Sequence, residues 1–212
     1  MSRYLSVDTE ATGLTNDCHL IQLAFVPVDV KSRKVVKELG IETLVKCPSF
    51  ESLEPTLNSW VLKHMKSVIV DAAAKGIEPA TLAAWVEAYL ESAPIKEFFQ
   101  GELPLVLLGK SLSALDIPIL RKYLGETFYS KYFHHHTIDV TSVAKSFVDC
   151  GLLPTGHASG GKLVRYLEIA DQVQHTALSD AVDMGEIYVR LIERSAQKVQ
   201  SSEPDSAVVT VE

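Results

Sequence analysis

The chain has 212 residues, 47% apolar and 22% charged, proportions that fit one globular domain with a short appendage and exclude a chain disordered throughout. No apolar run reaches the roughly 18 residues of a membrane-spanning helix. Acids stand early in MSRYLSVDTEATGL, where a secretory signal would be apolar, so a cytoplasmic location and no membrane partner are expected. With 27 acidic against 20 basic residues the net charge is −7, which excludes holding nucleic acid by bulk positive charge but not by a local groove or bound cations.

Residues 4–7 form a short apolar run that stops at Asp8. Residues 20–28 (LIQLAFVPV) read as a buried strand, 30–33 as a charged turn, and 35–45 as a third strand carrying solvated Lys37, Glu38 and Glu42. From Asn58 the period becomes helical, with Trp60, Val61, His64, Met65 and Val68 in step. A second helix follows Pro79, with Leu82, Trp85, Val86, Tyr89 and Leu90 on one face. Residues 103–108 (LPLVLL) suit a central strand ending at Gly109. Helices are expected at 117–124, 143–148, 162–169 and 177 to about 197, with a short strand at 137–140. Strands first, then alternating helix and strand, define a three-layer α/β or α+β domain over residues 2–196. Ser, Gln, Glu, Pro and Asp beyond Arg194 mark a mobile tail, at the latest from residue 197 to 212.

Asp8 and Glu10, two apart on a strand, project from one face, and side by side they repel unless a cation lies between them. Asp116 follows the end of the buried strand, where open α/β sheets bind ligands, but it also suits a helix N-cap. His175 and Asp180 flank the start of the last helix, and spacing leaves the choice between Asp180 and Asp183 open. Three cysteines (Cys18, Cys47, Cys150) without CxxC spacing argue against disulfides and structural zinc. Hard oxygen ligands suit Mg²⁺ or Mn²⁺, two of which can activate water and stabilise a phosphodiester's attacking and leaving oxygens. A histidine near neutral pKa can take the water's proton.

VDTEATGL resembles the first motif of the DEDDh 3′→5′ exonucleases of the ribonuclease H-like superfamily. GKSLSALD is similar to the second, with Ser111 and Leu115 where Asn and Phe are commoner, and HTALSDA is similar to the third. The motifs occur in the family's order over residues 8–180. The resemblance implies a mixed five-stranded sheet, its second strand antiparallel to the rest, with helices on both faces. It implies metal-site acids Asp8, Glu10, Asp116 and Asp180, a general base at His175, and Thr12, Gly13 and Leu14 around the terminal nucleotide. Lys110, inside the second motif, is the expected phosphate contact. The family removes nucleoside 5′-monophosphates from 3′ ends, so the implied partners are single-stranded DNA or RNA and short oligonucleotides. NSWVLKHM and FHHHTIDVTSVAK are similar to oligoribonuclease segments, though His135 stands where those carry a Tyr offered across a dimer interface. A homodimer is compatible with that likeness. The end, GGKLVRYLEIADQVQHTALSDA, is more similar to proofreading-subunit and ribonuclease T-type members.

Three plainer readings accompany these. Alternating side chains predict a solvated or groove-lining segment for His134, His135 and His136 rather than one ion site. Trp60 and Trp85 read as core anchors, and Arg121, Lys122, Lys162 and Arg165 mainly as solvated charge. Other function classes on this fold are a non-catalytic nucleic-acid-binding module and a hydrolase of small phosphate compounds such as dinucleotides.

Overall fold

The computed structural model describes residues 3–15, 17–169 and 176–202. Its first strands are β1 (Arg3–Ala11) and β2 (Leu20–Asp29), paired antiparallel from Arg3 opposite Asp29 to Ala11 opposite Leu20. Alternation sorts their side chains between two layers. Leu5, Val7, Leu23 and Phe25 face one core, whereas Ser6, Gln22, Ala24 and Val26 face the closing helix.

The segment expected as one strand over residues 35–45 divides into β3 (Lys34–Val35) and β4 (Ile41–Leu44). Between them charged Lys37 and Glu38 leave the sheet in a single turn, and the Tyr89 hydroxyl donates to the Leu39 carbonyl there. The sheet therefore has six strands rather than five. Helices α1 (Phe50–Leu53), α2 (Ser59–His64), α3 (Lys66–Lys75), α4 (Leu82–Leu90) and α5 (Ala93–Phe99) follow. Then come β5 (Leu105–Gly109), α6 (Asp116–Leu124), α7 (Glu126–Tyr132), β6 (Phe133–Asp139), α8 (Val140–Asp149), α9 (Gly160–Tyr166) and α10 (Ala177–Ser202). β5 starts after Pro104, which has no N–H for the ladder, and Leu103 stays exposed.

The strand order is β3-β2-β1-β5-β6, with β4 also paired to β2. β2 is antiparallel to each neighbour, and β1, β5 and β6 are mutually parallel. Residues of α4 to α7 pack with Leu5, Val7 and Leu107 on one face. Residues of α8, α9 and α10 gather around Leu108 on the other. The parallel strands carry Asp8 and Gly109 to the same sheet end, and Asp139 lies beside Gly109. α10 runs to Ser202, into the segment expected as tail, because Ala196, Gln197 and Lys198 continue a helix already anchored by its apolar face. Residues 203–212 lie outside the described residues. Among the described residues no helix is long and apolar enough to cross a membrane.

α10 lies close to the sheet because its facing stripe is small. Ala177 and Ala181 are fully buried against Ala24 and Val26. One turn on, a Cβ at Gly185 would sit 2.9 Å from Val28 Cγ2 and 3.0 Å from Val35 Cγ2. A larger side chain must push the helix away. Ala181→Leu is expected to destabilise the protein by about 1–3 kcal/mol, read as a lowered urea midpoint; an unchanged midpoint would show that this interface has slack.

Candidate functional site

Asp8 and Glu10 project from the β1 face that α10 covers, and Asp180 stands on the first turn of α10. One carboxylate oxygen from each lies within 4.8 Å of the others. Hydrogen bonds from distant parts of the chain hold that turn. The N–H of Ala177 donates to Gln22 Oε1 (3.1 Å) and that of Leu178 to Glu42 Oε1 (2.8 Å). The Ser179 N–H donates to Thr176 Oγ1 (3.2 Å), and the buried Ser6 hydroxyl donates to the Ala181 carbonyl (2.6 Å). A helix start leaves such N–H groups without intrahelical acceptors. Here β2 and β4 supply two, and in doing so set where Asp180 points. Sheet register makes this consistent, since Asp8, Ala24 and Glu42 form one rung and Glu10, Gln22 and Leu44 the next on the same face.

Asp116 arrives from the other layer. It is the first residue of α6, and the N-cap is Leu115, so Asp116 does not cap the helix. Its Oδ1 instead accepts from the Thr9 hydroxyl at 2.7 Å in a buried bond. The chain reaches it through a tight turn after Gly109, where a Cβ would lie 2.7 Å from the Val7 carbonyl oxygen. Ser111 in this turn has φ of 52°, a left-handed conformation that Asn tolerates better than Ser.

Electrostatics set this cluster apart. Withdrawal from water, then Asp116, Glu10 and Asp180, push the Asp8 carboxyl well above its ordinary pKa, while Lys110 opposes them. Burial, Asp180 and Asp116 raise Glu10 to about 7, against Lys110. Burial raises Asp116 to about 6 despite the Thr9 bond, and Asp139 adds to the repulsion. The donors are all oxygen, and Lys110 and the Thr9 bond only partly offset the forces that raise Asp8, Glu10 and Asp116. That combination fits a hard divalent cation such as Mg²⁺ or Mn²⁺. Asp183, the alternative by spacing, is buried one turn along, with Lys37 and Glu186 as its charged neighbours.

A cleft of about 580 Å³ joins these groups, lined by Asp8, Glu10, Asp116 and Asp180 and, on its walls, by Gly13, Leu14 and Lys110. Leu14 is 77% exposed. Asn58 and Trp60 line the cleft as well. Trp60 is thus no core anchor: Asn58 accepts from the N–H groups of Trp60 and Val61, and the short α2 leaves the indole 50% exposed. Trp85, by contrast, packs against the core. Thr12, expected beside the substrate, is buried and accepts the His19 N–H at its hydroxyl (2.8 Å), closing the turn after β1. Arg121 pairs with Glu126, and Lys122 donates to the Cys18 carbonyl. His175 lies outside the described residues. Gln22 and Glu42, which fasten the start of α10, lie in no motif, and Thr9, which holds Asp116, fills a variable position of the first.

No protein-family model matches the chain, and comparison with curated proteins gives no match either. Solved structures do match. The chain is similar to cell-death related nuclease 4 (CRN-4), with TM-score 0.65 and 17% identity over 90% of this chain and 64% of that one. It is similar to E. coli Exonuclease I in complex with a dT13 oligonucleotide, with TM-score 0.65 and 17% identity over 95% and 43% of the two chains. The nuclease domain of 3′hExo, a DEDDh family member bound to rAMP, matches with TM-score 0.60 and 14% identity over 90% and 92%. The chain thus spans less than two thirds of the first two. Its fold is the fold of these nucleases.

Without divalent metal, the folded state keeps protons on Glu10 and Asp116 that the unfolded chain has lost between pH about 4 and about 7. Stability must therefore fall as pH rises through that window. Thermal melts in EDTA should show Tm declining across it, and saturating Mg²⁺ or Mn²⁺ should restore Tm most at the alkaline end. A Tm that rises with pH in EDTA would contradict the crowding described here.

Proposed function

We propose that the chain is a DEDDh-type 3′→5′ exonuclease acting on single-stranded or short nucleic acids. The observation that carries this is the gathering of Asp8, Glu10 and Asp180 within 4.8 Å, with Asp116 beside them, in a cleft rimmed by Leu14 and Trp60. Two Mg²⁺ or Mn²⁺ ions held by Asp8, Glu10, Asp116 and Asp180 would supply an activated water and charge stabilisation at the attacking and leaving oxygens. The remaining roles belong to the protein's own groups. Leu14 and Trp60 offer apolar surfaces to the terminal base, and such contacts tolerate any base. Lys110 offers a positive charge to the phosphate in a cleft otherwise hostile to anions. His175, two residues before α10, takes the proton of the attacking water. Thr12 acts at one remove, by shaping the turn that carries Gly13 and Leu14. Products are nucleoside 5′-monophosphates. A cytoplasmic setting belongs to the same reading, since Cys18, Cys47 and Cys150 are free.

A cleft of about 580 Å³ has the size of a small-ligand pocket, which favours short substrates. A time course on 3′- and 5′-labelled single-stranded RNA, DNA and dinucleotides with Mg²⁺ or Mn²⁺ tests the proposal. Stepwise loss from the 3′ end is expected, faster on single strands than on blunt duplex. Asp8→Ala should abolish it with the fold intact, and His175→Ala should slow it about 10²- to 10⁴-fold. Internal cuts, 3′-phosphate products or activity surviving EDTA would overturn the assignment. Cleavage confined to dinucleotides would replace it with the small-substrate hydrolase.

A further inference from the structure

β6 pairs with β5, but the register between them jumps. Leu105 lies opposite Phe133 and Leu107 opposite Thr137. Three residues of β6, His134, His135 and His136, therefore stand against Val106 alone. This is a bulge with two extra residues, and a bulge breaks the alternation of side chains that a regular strand imposes. The expectation that three adjacent histidines point apart fails for that reason. Ring centroids are 4.2 Å apart for His134 and His135, 4.8 Å for His134 and His136, and 4.1 Å for His135 and His136. One ring nitrogen from each lies within 4.8 Å of the other two.

Tetrahedral zinc with nitrogen at about 2.0–2.1 Å places its ligand atoms roughly 3.3 Å apart. Exposed His135 and His136 can close the difference by turning their rings. The His136 N–H donates to His134 Nδ1 at 2.9 Å, so coordination through that atom gives up one hydrogen bond on an exposed segment. None of the three lines the acidic cleft. The bulge sits at the start of β6, whereas the strand reaches the cleft end at Asp139, beside Gly109.

We infer that His134, His135 and His136 form a second metal site, independent of the carboxylates and built for an ion that prefers imidazole, Zn²⁺, Ni²⁺ or Cu²⁺. Nitrogen donors select these over Mg²⁺. Three protein ligands leave a coordination position open, and an ion there would clip the bulged strand.

Cu²⁺ is a suitable probe, because electron paramagnetic resonance resolves bound nitrogen from oxygen. One equivalent would be added to the full chain with the carboxylates saturated by Mg²⁺. The expected spectrum shows coupling to several nitrogens, persists in Asp8→Ala, and is lost in the double variant His135→Gln, His136→Gln. Melting of that variant with its wild-type Tm in EDTA would show that it is folded. A spectrum of oxygen ligands alone, or a nitrogen signal that survives in the folded double variant, would overturn the site.

Discussion

Repulsion among carboxylates at one end of a mixed sheet is the constraint on which the rest of this structure turns. Asp116, Glu10 and Asp180 raise the proton affinity of Asp8, Asp180 and Asp116 raise that of Glu10, and Lys110 opposes the rise at both β1 acids. Nothing in such a cluster holds itself together. It persists because β1 is anchored below it by Leu5 and Val7, both essentially inaccessible, and because the acids occupy strand and helix ends whose backbones are already fixed.

Three separate attachments meet at the cluster. β1 brings Asp8 and Glu10 by simple alternation. α6 brings Asp116 through the opposite layer, held by Thr9, the residue between the two strand acids. α10 brings Asp180, and its entry is fastened by Gln22, Glu42 and Ser6, three polar groups on the sheet face it covers. The small stripe Ala177, Ala181 and Gly185 makes those bonds short enough to form. Packing and polar fastening are therefore one device: widening the interface lengthens the bonds that aim Asp180.

Legibility in the sequence follows how local each feature is. β1, β2, β5 and α10 are readable because apolar runs and helical periods are local, and Asp8 and Glu10 share a strand face because alternation is local. Spacing leaves Asp180 and Asp183 open, and only the motif resemblance chooses between them. α5 and α7 escape because seven-residue helices such as ETFYSKY show too few turns to establish a period. Trp60 has the spacing of a core residue, but α2 is only six residues long and its first turn is at the cleft. Gln22 and Glu42 meet α10 across 155 and 136 residues of sequence, a separation at which no local pattern speaks. The convergence of His134, His135 and His136 depends on a register jump against β5, and the Thr12 hydroxyl accepts the N–H of His19, which lies beyond the first motif.

A crystal grown with Mn²⁺ and measured at the manganese absorption edge addresses the central claim without reference to turnover. The account predicts anomalous density bounded by Asp8, Glu10 and Asp180 and reaching toward Asp116, absent in a crystal of Asp8→Asn. Well-ordered manganese bound elsewhere on the chain, with these four carboxylates bare, would contradict it.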